Sequence, residues 1–170
     1  QDQLIDEAFP LLVGLATSKD AKPYVRTAAI AAAVVAARER VDPEWRSVLI
    51  GLCEDPDATV QYAAASALID AGALEATRGV VERLAGAGSD GVRRHALLVG
   101  QLAAVDPGRY VEAARATMSL DGDLIHDVLD GFQLGSRGTI RSLPSVLADA
   151  VVARIVRDES AVRSDAPLLA

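Results

Sequence analysis

The sequence predicts an all-α chain, a right-handed α-solenoid of about four antiparallel helix pairs closed by a C-terminal capping helix. One helix signature recurs with register residues Val25, Val60, Val92 and Leu124, at steps of 35, 32 and 32 residues, inside the period range of stacked helical repeats. A second register, led by Phe9, Trp45, Thr77 and Tyr110 at steps of 36, 32 and 33, runs in phase with the first. Strand signals are nearly absent. Two helices per unit, repeated four times, is the simplest account.

The units span approximately 3–38, 42–71, 73–105 and 107–134, inside one repeat domain covering 1–158. Each opens with a helix whose apolar or small residues fall at offsets 0, +3, +4, +7 and +8 from its leading residue. In the first unit these are Phe9, Leu12, Val13, Ala16 and Thr17, and in the second Trp45, Val48, Leu49, Leu52 and Cys53. Thr77, Val80, Val81, Leu84 and Ala85 continue the series, followed by Tyr110, Ala113, Ala114, Thr117 and Met118. The second helices carry a narrower seam at offsets 0, +4 and +8, where Ala29 and Ala33, Ala64 and Leu68, Ala96 and Gly100, and Val128 and Phe132 share one helix face. Small side chains along that seam let neighbouring helices approach closely.

The punctuation agrees. Asp42-Pro43 and Asp106-Pro107 precede the first helices of units two and four, where Asp is expected to cap free backbone N–H groups and Pro suits the first helical position. Gly72 and the stretch Gly86 to Gly91 are expected to stop helices and turn the chain. Short loops make consecutive helices antiparallel neighbours. Beyond a loop at Gly135-Ser136-Arg137-Gly138-Thr139, Leu143, Val146, Leu147, Ala150, Val151, Arg154 and Ile155 predict an amphipathic helix over 142–158, a cap on the last seam or the first helix of a fifth unit. Residues 159–170 carry little pattern and read as a frayed tail.

On these residues the chain resembles the HEAT-repeat family, whose units place an acidic turn before a Val-Arg at the start of the second helix. The matching residues are Asp20 with Val25-Arg26, Asp55 and Asp57 with Val60-Gln61, Asp90 with Val92-Arg93, and Asp121 with Leu124-Ile125, over roughly residues 3 to 134. Two units keep the Arg; the others carry Gln61 and Ile125. The resemblance implies a concave side lined by second helices, the usual binding surface of such arrays. Its candidate partner-binding residues here are Tyr24, Arg26, Gln61, Tyr62, Arg93, Arg94 and Gln101, since Tyr and Arg are favoured interface anchors. The competing reading has Arg26 and Arg93 bonding the acidic turns of adjacent units and Tyr62 covering a seam.

Composition bounds the function. Half of the 170 residues are hydrophobic but only 4% are aromatic, so stability must come from many small close contacts. The net charge of −7 argues against a generic grip on nucleic-acid phosphates, which needs clustered Lys and Arg. The longest apolar run, Ala28 to Ala37, falls far short of the roughly 20 residues that span a bilayer, so no membrane partner is expected. The opening residues do not read as a secretory signal, and Gln1 beside a helix start reads as a piece of a longer chain. The single cysteine, Cys53, at an apolar helix position forbids an internal disulfide and fits a reducing compartment, so a cytoplasmic location is expected.

Local patterns that resemble catalytic or ligand motifs do not meet their structural requirements. Gly86-x-Gly88-x-x-Gly91 has the letters of a dinucleotide fingerprint, but the segment before it has a helical period where the fingerprint requires a strand. Asp123, His126, Asp127 and Asp130 form the densest set of potential metal ligands, although a solvated acidic face explains them as well. His95 and Asp127 both occupy the +3 offset that is Ala28 and Ala63 in the first two units. Cys53 lacks the electropositive, exposed setting of a nucleophile. No catalytic residue, cofactor or metal is therefore expected.

The leading expectation is a non-catalytic protein-binding or scaffolding module. A second reading makes it an accessory helical domain of a bacterial multidomain enzyme, the bacterial source being suggested by alanine, arginine and aspartate usage. A third, a helical-repeat nucleic-acid binder, would need Arg26, Arg93 and Arg94 to converge with the arginines of the tail.

Overall fold

A computed structural model describes residues 2–37, 43–136 and 142–164. Among them the chain is all-α, without strands, in the order α1 (Asp2–Thr17), α2 (Pro23–Ala37), α3 (Pro43–Leu52), α4 (Ala58–Asp70), a 3-10 turn (Leu74–Thr77), α5 (Arg78–Ala85), α6 (Gly88–Val105), α7 (Pro107–Leu120), α8 (Leu124–Gly135) and α9 (Ser145–Ser164). By compactness the chain divides into two units, Gln1–Leu98 and Val99–Ala170, with the boundary inside α6.

In the first unit α1 packs on α2 and on α3, α2 on α4, and α3 on α4, which is a helix pair stacked on a helix pair. Both registers explain the packing. Ala29 and Ala33 of α2 and Val60, Ala64 and Leu68 of α4 are buried, as are Trp45, Leu49 and Leu52 of α3 and Cys53 just beyond its end. Phe9 meets Trp45 edge to face at 5.7 Å between ring centroids, a geometry that aligns the positive edge of one ring with the negative face of the other. Trp45 therefore packs between first helices. The third first-helix is broken: Thr77 ends the 3-10 turn, its hydroxyl donating to the Leu74 carbonyl at 2.7 Å, before α5 resumes with Val80 and Leu84 buried.

Helix ends follow local chemistry. Asp57, extended at the start of α4, accepts from Thr59 N–H at 2.8 Å and Val60 N–H at 3.3 Å, satisfying two of the donors a helix start leaves open. At the other end Gly72 takes φ 73°, and Gly72 N–H and Ala73 N–H return to the Ile69 and Leu68 carbonyls. This is the glycine-centred helix stop that a residue with a Cβ resists.

In the second unit α7 packs on α8 and α9, with Ala114, Thr117 and Met118 buried on α7 and Leu124, Val128 and Phe132 buried on α8. A Cβ at Gly100 would lie 2.1 Å from the Val128 carbonyl oxygen, so the +8 position of α6 must be glycine for α8 to come this close.

Four expectations need correcting. Gly88 has the turn geometry expected of it, at φ 75°, but α6 already begins there and includes Gly91, so the connection from α5 is only Gly86-Ala87. The reason is steric: a Cβ on Gly91 would lie 2.5 Å from the Ala87 Cβ and 2.8 Å from the Leu84 carbonyl, so its absence lets α6 start hard against the end of α5. Asp106 does not cap α7 with its side chain. Its backbone (φ −133°, ψ 76°) departs from the extended geometry of Asp57, and its carbonyl receives Arg109 and Tyr110 N–H instead. Finally, α9 starts at Ser145 rather than 142 and continues to Ser164, past the expected end near Arg157. Ile155, expected on its buried face, is 53% exposed. Asp42, the loop residues Arg137 to Thr139 and the tail residues 165–170 lie outside the described residues.

Candidate protein-binding surface

The turn between α3 and α4 shows what the acidic-turn signature does. Arg26 on α2 is buried; its Nε donates to the Ala16 carbonyl at 3.0 Å and its second guanidinium nitrogen to Asp55 Oδ2 at 2.5 Å. The other Asp55 oxygen accepts the Asp57 N–H at 3.0 Å, and the Gln61 side-chain amide donates to the Asp55 carbonyl. Burial alone would raise the Asp55 carboxyl, but the Arg26 and Asp57 hydrogen bonds, with the charges of Arg26 and Lys19, outweigh it and hold it below its ordinary value. One arginine thus ties α1, α2 and the next pair's turn together. Arg26 takes the internal of the two roles open to it and is withdrawn from any exposed surface; Gln61, expected only as a contact residue, also bonds inward.

What remains outward on the second helices of this unit centres on α6 and α4. Arg94 is part-exposed; it donates to Thr59 Oγ1 on α4 at 3.1 Å and to the Asp90 carbonyl at 3.0 Å, and pairs with the Asp90 carboxylate at 3.3 Å. Tyr62, one turn beyond Thr59, is half-buried. Burial raises its phenol above the ordinary value, against the pull of the nearby Arg94 charge and a hydrogen bond with Ser66. Arg94 is thus held at three points beside a half-buried tyrosine, with little rotamer freedom left to lose. Arg93 is exposed beside it, and Tyr24 is exposed at the start of α2. His95, the first polar replacement at the +3 offset, is half-buried with Nδ1 2.9 Å from the Val81 carbonyl.

The second unit contributes differently. Gln101 is buried on α6, so it offers no contact surface. Of the acidic set on α8, Asp127 is buried whereas Asp123, His126 and Asp130 are exposed. Among the described residues no group of three or more His, Cys, Asp or Glu side chains is placed to hold a metal ion. A groove of about 450 Å³ runs between α7 and α9, floored by Met118, Val146 and Ala150 and edged by Arg115, Asp149 and Arg157. Its mixed charges and open form do not define a chemical site.

Cys53 is buried, and burial pushes its thiol up to about 11 despite the Arg83 charge, so it is a packed thiol rather than a nucleophile. The Gly86 to Gly91 fingerprint follows α5, a helix, and so lacks the strand that dinucleotide binding needs. Two residues escaped the sequence reading. Thr59 braces Arg94, and Arg83 donates to the Cys53 carbonyl at 2.6 Å and to Glu54 at 3.0 Å, closing the C-terminal end of α3. An arginine at one helix face carries no register signal for a carbonyl 30 residues away, so only folding reveals that pair.

Helix pair stacked on helix pair, as in the first unit, defines a helical-repeat domain. The family model for HEAT repeats matches residues 11–100, and the chain belongs to that family. Searches of curated proteins and of solved structures gave no match. HEAT repeats are generally protein-interaction and scaffolding modules. Among the described residues no helix is long and apolar enough to cross a membrane.

Proposed function

We propose that the chain is a non-catalytic protein-binding module, and that the second-helix surface formed by α4 and α6, with Tyr62, Arg93 and Arg94 at its centre and Tyr24 toward its edge, engages the partner. The observation that carries this reading is the bracing of Arg94 by Thr59 and Asp90 beside half-buried Tyr62. Arg93, an exposed residue next to it, favours a partner segment that presents carboxylates or backbone carbonyls. The nucleic-acid reading loses support, since Arg26, one of the three cations it needs, is buried against Asp55.

Capture from source lysate tests the proposal when wild type is compared with Tyr62→Ala/Arg93→Glu. Both positions leave the Arg26 network intact, so folding should persist by circular dichroism. The proposal expects a specific protein retained by wild type and lost by the variant; equal retention by both would end it.

The accessory-domain reading draws on one separate observation. On α9, Val152, Ile155 and Val156 are 57, 53 and 59% exposed, a three-four spaced apolar stripe of the kind a neighbouring domain covers.

A further inference from the structure

We draw no further inference here: the strongest candidate, the groove between α7 and α9 floored by Met118, Val146 and Ala150, carries nothing, because Arg115 on its edge is already paired with Glu112 and nothing in the structure shows what covers it.

Discussion

Arg26 on the second helix of the first pair and Asp55 in the turn of the second pair form a buried ion pair at 2.5 Å, their side chains 8 and 9% exposed. Because Arg26 also holds the C-terminal carbonyl of α1 at Ala16, this pair joins α1 and α2 to the turn of the next pair, which a purely apolar seam would leave free to slide. Removing one partner leaves a buried charge uncompensated, which costs about 3 kcal/mol. Arg26→Ala should therefore lower unfolding free energy by about that amount in urea titration, and far more than Arg93→Ala on the exposed side of α6.

The same pair predicts an acid sensitivity. Asp55 titrates below its ordinary value in the folded chain, so the unfolded chain binds its proton more readily. Its stabilising contribution is complete above the ordinary carboxylate pKa and is lost as pH falls through the lowered native value. Urea midpoints measured from about pH 6 down to about pH 2 should fall, and Asp55→Asn should remove part of that dependence while lowering the midpoint at neutral pH.

Close approach of helices gives a third expectation. Gly100→Ala would place a Cβ 2.1 Å from the Val128 carbonyl oxygen and 2.8 Å from the Phe132 nitrogen; backbone cannot yield as a side chain can. A loss of about 2 kcal/mol or more is expected in chemical denaturation, although alanine is intrinsically the better helix former. Gly51→Ala, where nothing lies within 4 Å of the added carbon, should stabilise slightly or leave stability unchanged.

Cys53 supplies a probe of opening. With its thiol buried and pushed up to about 11, native protein at pH 8 should react with a thiol reagent only through unfolding or local opening. Full reactivity should appear in denaturant. Rapid labelling of the native chain would show that α3 opens far more readily than its packing implies.

Much of this was legible because repeats present the same physical problem several times. The registers beginning at Val60 and Trp45 located buried residues, since apolar spacing of three and four has one structural meaning in a helix. Gly91 misled because glycine serves both turns and close contacts, and only the position of Leu84 distinguishes the two. Asp106 has the same sequence signal as a capping residue, but its backbone angles direct the carboxylate elsewhere. The site was less legible than the fold. Arg26 and Arg94 look alike in sequence, each just after the register valine of its second helix, yet one is consumed by Asp55 across the helix pairs and the other is braced by Thr59 at the surface. Ion-pair choice depends on which turn stacks beside which helix, and that is set by tertiary packing.

The most direct test of the binding account places a photo-crosslinking phenylalanine at Tyr62 in one protein and at Glu82, exposed on first helix α5, in another, and irradiates both in source lysate. The account predicts one specific crosslinked protein from position 62, absent from position 82 and diminished by Arg93→Glu. A specific product from position 82 with none from position 62 would contradict it and move the partner to the first-helix side.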